Sequence, residues 1–176
     1  MEFGKILEAI VGFCEREGIS CAVVGAFGLH AYGLTRATYD LDFVTEVKAQ
    51  PKVIPFLESL GYETLHVSAG YSNHLDAHVA MGRLDFVYVG GETSRRLFAG
   101  CRPLLDLAGR QVLVPRPEHL IAMKFQAMKN DPGRTFQEMA DIQFLLGRPG
   151  IDEREVRGYF ERAGLLDRYD EIKRLL

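Results

Sequence analysis

Residues Leu34 to Glu46 read "LTRATYDLDFVTE" and set Asp40 and Asp42 one residue apart inside an otherwise apolar strand pattern. Side chains alternate across a strand, so the two acids share one face while Leu41 and Phe43 share the other. Held roughly 6–7 Å apart, two carboxylates repel, and one is driven towards protonation unless a cation sits between them. A hard divalent ion removes that conflict, because it takes carboxylate oxygens and keeps positions for water and phosphate. The plainer alternative makes Asp40 a turn residue that opens the strand.

Upstream, "SCAVVG" is a short β-branched run ending at Gly25, and "VVGAFGLHAYG" (23–33) continues through Leu29 and Ala31 as a short helix. A strand that ends in glycine and turns into a helix presents backbone N–H groups outward, where they can hold phosphate oxygens. No GK[ST] follows and no dinucleotide fingerprint is present. Downstream, "VIPFLESLGY" reads as a helix closed by Gly61. "ETLHV", "HLDAHVAM" and "RLDFVYV" read as strands, with a turn at Gly82. The last of these supplies a third acid, Asp85, with Leu84, Phe86 and Tyr88 on the opposite face. Its plainer role is an ion pair with Arg36 or Arg83.

Phe3, Ile6, Leu7, Ile10, Val11 and Cys14 recur at helical spacing, which predicts a first helix stopping near Gly18. "DLAGRQVLVP" predicts a hairpin turning at Gly109. From there the pattern is helical: 117–130 with Pro117 in its first turn, 134–147 ending at Gly147, and two further helices within 152–175. The expected fold is α+β: a short mixed β-sheet flanked by helices in residues 1–115, with a helical C-terminal extension, 116–176, packed on it.

Composition narrows the function classes. The 176 residues are 47% apolar and 26% charged, with a net charge of −3. That is ordinary for a soluble domain and too near neutral to announce a long nucleic-acid footprint or a membrane surface. Residues 1–90 hold 6 Lys/Arg against 11 Asp/Glu, and residues 91–176 hold 15 against 13. Three cysteines without a CxxC pair argue against a disulfide framework or a cysteine zinc site and fit a reducing cytoplasm. No apolar run is long enough to cross a bilayer.

Three acids on neighbouring strands behind a glycine turn are what two-metal phosphoryl chemistry requires. Strand–Gly–small residue–helix, then "TRATYDLDF", then an Asp on a later strand resembles the DNA polymerase β-type nucleotidyltransferase superfamily. More narrowly, "GLTRATYDLDFVTE" followed by "GRQVLVPRPEHLIAMKFQAM…DIQFLL" is similar to small bacterial nucleotidyltransferase-like proteins related to abortive-infection toxins. The likeness spans roughly residues 20–147. It implies that Asp40, Asp42 and Asp85 bind Mg²⁺ or Mn²⁺, with Asp85 also a candidate base, and that Gly25 contacts phosphate. Ala26 stands where the family usually has Gly or Ser, so a backbone N–H is kept and a hydroxyl is missing.

The implied reaction moves a nucleoside monophosphate from an NTP to an acceptor hydroxyl and releases pyrophosphate. The acceptor is open among a tRNA end, a protein hydroxyl and a small molecule, and a partner protein in a toxin–antitoxin pair is compatible with the likeness. A catalytically degenerate binding module acting through such a partner is the alternative. Arg36 and Thr38 precede the aspartates and can bind phosphate, or in the case of Arg36 neutralise the acids. Lys124 falls near the middle of the apolar arc Leu120, Ile121, Phe125 and Met128, so it must snorkel out or meet an anion. The resemblance gives it the triphosphate, and matches Asp141 to an acid beside the site. On the helical wheel Asp141 lies off the apolar face, as a solvated residue would, and Arg134 reads as a first-turn surface residue. His74, Asp76 and His78 share a strand face, as a metal trio or as a solvated face. Tyr32 and Tyr39 read as packing residues.

Overall fold

The Asp40–Glu46 stretch is the strand β2, and it lies between partners of opposite direction. The computed structural model describes residues 3–76, 82–107 and 109–176. In chain order it runs α1 (Phe3–Glu17), β1 (Cys21–Val23), α2 (Gly25–Ala31), β2 (Asp40–Glu46), α3 (Gln50–Ser59), β3 (Tyr62–Ser68), β4 (Tyr71–Asp76), β5 (Arg83–Val89), α4 (Gly91–Gly100), β6 (Arg102–Leu107), β7 (Arg110–Val114), α5 (Pro117–Asn130), α6 (Thr135–Leu146), α7 (Glu153–Ala163) and α8 (Leu166–Lys173). The chain divides into two compact units, Met1–Pro115 and Arg116–Leu176. No helix among the described residues is long and apolar enough to cross a membrane.

The first unit is built on a five-stranded mixed sheet of order β1-β2-β5-β4-β3. β2 and β5 are parallel, and the other neighbouring pairs are antiparallel. The β2–β5 register sets Asp42 opposite Asp85 and Phe43 opposite Phe86. Directly aligned residues share a face, so one face carries the acids and the other carries Leu41, Phe43, Leu84, Phe86 and Tyr88.

That apolar face packs on Ile6, Leu7, Ile10 and Cys14 of α1 and on Val53 and Leu57 of α3. Phe43 and Phe86 stack across the two strands with ring centroids 5.0 Å apart, and Phe13 stacks on Phe56 at 3.9 Å, joining α1 to α3. These helices cover the apolar side of the sheet. β6 and β7 form the hairpin expected at Gly109, whose φ of 77° suits a residue without a Cβ.

The second unit is helical. Phe125, Phe160 and Tyr169 form a ring cluster, with Phe160 5.7 Å from Phe125 and 5.5 Å from Tyr169. Ile121, Ile142, Leu145 and Val156 are fully buried around it. Asp152 caps α7 by accepting from Glu155 N at 3.0 Å, and Gly164 ends the helix in the left-handed region.

Two features depart from the sequence expectations. α4 was passed over in the sequence reading, and its ten residues place only Ser94 and Leu97 in the interior. His74 and Asp76 are not a solvated face: both are buried, on the apolar side of the sheet. There the His74 ring lies 2.8 Å from Ser72 Oγ and 3.1 Å from Thr64 Oγ1, and Ser72 Oγ lies 2.7 Å from the Tyr88 hydroxyl. Ring nitrogens engaged this way are turned from metal binding to packing. His78 lies outside the described residues.

Candidate active site

Asp40, Asp42 and Asp85 come together on one face of the sheet, each with a carboxylate oxygen within 4.8 Å of the other two. Among the described residues this is the one group of three or more His, Cys, Asp or Glu side chains so placed. Three mutually repelling carboxylates of hard oxygen donors fit Mg²⁺ or Mn²⁺ and suit softer ions poorly.

Local structure holds each acid. The Thr38 hydroxyl donates to Asp40 Oδ1, which aims the carboxylate at the start of β2. Val24 N donates to Asp42 O at 2.9 Å, tying the end of β1 to β2. At Gly25 the chain then turns into α2 with φ +57°, and a Cβ there would lie 1.8 Å from Asp42 Oδ2. Glycine is therefore required twice, for its left-handed backbone and for the space that the Asp42 carboxylate fills.

Asp85, about 9% exposed, is the most enclosed of the three. Its Oδ1 accepts from Asn73 Nδ2 and from Arg83 Nε, the latter at 3.1 Å. Arg83 Nη2 also donates to the Tyr71 hydroxyl at 3.2 Å. Burial works against the guanidinium charge, but the bonds to Asp85 and Tyr71 outweigh it and hold Arg83 cationic. Burial, and then the Asp85 carboxylate, push the Tyr71 phenol above its ordinary pKa.

No known protein-family profile matches the chain, and no curated protein sequence does. Solved structures do. The solution structure of the antibiotic-resistance factor ANT(2'')-Ia superposes with a TM-score of 0.69 at 15% identity, covering 97% of this chain and 95% of that one. The same protein in complex with adenylyl-2''-tobramycin gives 0.68 at 16% identity over 94% and 98%. The lincosamide antibiotic adenylyltransferase LnuA, bound to lincomycin, gives 0.55 at 16% over 81% and 96%. The chain has the nucleotidyltransferase fold.

On that fold the other candidate residues are distributed unevenly. Arg36 is half-buried in the loop before β2, and Tyr39 beside Asp40 is 83% exposed, so Tyr39 is not the packing residue expected. Tyr32 does pack, and its hydroxyl donates to Pro115 O at 2.8 Å.

Lys124 and Asp141 belong to the helical unit. The Lys124 ammonium is 2.8 Å from Glu138 and 2.6 Å from Asp141, and all three side chains are buried. Asp141 is therefore not solvated. α6 turns it inward, where Lys124 compensates its charge. Arg134 is half-exposed at the surface, as expected, and also reaches Glu138 at 2.6 Å.

Asn73, Tyr71 and the dual role of Arg83 escaped the sequence reading. Tyr71 and Asn73 alternate like Arg83 and Asp85, which signals a shared face on each strand. Only the β4–β5 register, Asn73 opposite Asp85, brings the two pairs together.

Proposed function

We propose that this chain is a metal-dependent nucleotidyltransferase that moves a nucleoside monophosphate from an NTP to a hydroxyl of a small acceptor molecule, releasing pyrophosphate. The observation that carries this reading is the carboxylate triad, its oxygens within 4.8 Å of one another and its Asp42 closed against Gly25. Asp40, Asp42 and Asp85 would hold the Mg²⁺ or Mn²⁺. Bound there, such an ion supplies charge neutralisation for the phosphates and lowers the pKa of the attacking hydroxyl.

The rest falls to the chain itself. Asp85, held by Asn73, is oriented to receive the acceptor proton on its carboxylate. The first-turn N–H groups of Gly25 and Ala26 have no carbonyl four residues earlier within α2 and are suited to phosphate oxygens. Arg36 adds positive charge before β2, and Thr38 serves by aiming Asp40. Lys124, which the resemblance gives to the triphosphate, is engaged by Glu138 and Asp141 within the helical unit. Residues 1–115 would form the catalytic core and 116–176 its helical extension. Catalysis of this kind rests on positioning and charge stabilisation.

A small acceptor is favoured because ANT(2'')-Ia and LnuA, which this chain matches over most of their length, were solved with adenylyl-tobramycin and lincomycin. The net charge of −3 also offers little to a long polyanion. The test is pyrophosphate release from each of the four NTPs with Mg²⁺ against a panel of hydroxyl-bearing aminoglycosides and lincosamides, a tRNA and protein acceptors. Release is expected with a small molecule, and Asp42→Asn should abolish it, by about 10³-fold or more, while leaving the circular dichroism spectrum unchanged. Activity surviving Asp42→Asn would overturn the metal assignment, and release with tRNA alone would overturn the acceptor class.

A further inference from the structure

Arg83 occupies a position that the proposed chemistry does not use. It stands directly opposite Asp40 in the β2–β5 register and two residues before Asp85 on the same strand face. Its backbone is thus aligned with one acid of the triad, and its guanidinium pairs with another, Asp85 Oδ1, at 3.1 Å. Its other arm is steadied by Tyr71. The side chain is 49% exposed, so it has solvent to withdraw into, unlike the Asp85 carboxylate it touches.

Resting on the reading of the triad as a divalent-cation site, we infer that Arg83 is a built-in placeholder for that cation. In the metal-free chain its guanidinium neutralises part of the charge of the triad and takes up the same carboxylate that the ion needs. A divalent cation and a guanidinium cannot share Asp85 Oδ1 without strong repulsion in a partly buried site. Metal entry therefore displaces Arg83 towards solvent, and the free metal affinity is reduced by the cost of breaking its bonds to Asp85 and Tyr71. The triad keeps its arrangement without metal, and metal alone binds weakly. The displaced guanidinium remains on the site face, where a polyphosphate arriving with the metal can take it as a new partner. Asn73 is neutral and repels no cation, so it keeps Asp85 in place throughout.

The experiment is a Mn²⁺ titration of the nucleotide-free protein, read as loss of the free-ion electron paramagnetic resonance signal. It is run on wild type, Arg83→Gln, Arg83→Met, Arg83→Lys and Asp42→Asn. Removing the guanidinium charge should tighten Mn²⁺ about tenfold, in both Arg83→Gln and Arg83→Met, while Arg83→Lys stays within about threefold of wild type because the charge is retained. Two neutral variants guard against one of them misfolding. Equal or weaker Mn²⁺ binding in the neutral variants overturns the placeholder role and leaves the metal site standing. No binding in any protein, or binding undiminished in Asp42→Asn, means that the triad is not the metal site, and the functional reading fails with the inference.

Discussion

Two of the acid clusters among the described residues are opposites. In the first unit, three part-exposed carboxylates meet on one sheet face, and the ion pair resolved among them is with Arg83. In the helical unit, two buried carboxylates, Glu138 and Asp141, meet Lys124 and Arg134, so the formal charges cancel. A balanced, enclosed cluster is a structural device whose members satisfy one another. A cluster with acid in excess, beside solvent, is stable only when something positive is added, and excess of this kind is a mark of function. Burial alone does not separate the two, because the functional cluster is the more exposed. The balance of charge separates them.

Gly25→Ala is the strongest way to break the open cluster without touching a carboxylate. Its Cβ would fall 1.8 Å from Asp42 Oδ2 at a φ of +57°, so the carboxylate, the turn or both must move. Displacing a reacting group by an ångström costs about 10²-fold in rate. The variant should lose at least that factor in pyrophosphate release and should bind Mn²⁺ more weakly than wild type. Unchanged Mn²⁺ binding would mean that Asp42 has no part in holding the ion.

The balanced cluster should respond in stability. Lys124→Met leaves Glu138 and Asp141 facing each other in the interior and should cost about 3–5 kcal/mol, as broken buried pairs do. Arg134→Ala, at a half-exposed position, should stay within about 1 kcal/mol. Urea denaturation of the three proteins measures both. Equal losses for the two variants would show that enclosure does not set the weight of these pairs.

The two clusters also differ in how far they could be read from sequence. Asp40 and Asp42 were legible because a two-residue alternation is local, and strand geometry turns it into a shared face. Asp85 was legible as an acid of the same type on another strand. That it lies opposite Asp42, with Asn73 on its far side, is a matter of register between segments distant in sequence, which no local pattern encodes. The wheel position of Asp141 pointed outward because a helical wheel knows apolar residues, whereas the inward face of α6 is partly ionic. The sheet order was invisible for the same reason: long-range pairing decides it.

The smallest expected effect concerns a third polar group, which contrasts with both clusters by being uncharged. Burial holds the His74 imidazole below its ordinary pKa, with Glu58 and Asp85 pulling only weakly in the other direction. The neutral ring sits between Thr64 and Ser72 on the covered side of the sheet that carries the triad. The folded chain binds this proton less readily than the unfolded chain, so stability rises with pH through the window between the two pKa values. The contribution is complete above the unfolded value of about 6.5 and is lost as pH falls from there towards the lower folded value. Its slope cannot exceed about 1.4 kcal/mol per pH unit for one proton. Urea midpoints of wild type and His74→Gln at pH 7.5 and pH 5.5 should converge as pH falls, the substitution having removed the titrating ring. A gap that stayed constant across that range would mean that His74 is protonated equally in both states, and that its bonds to Ser72 and Thr64 survive protonation.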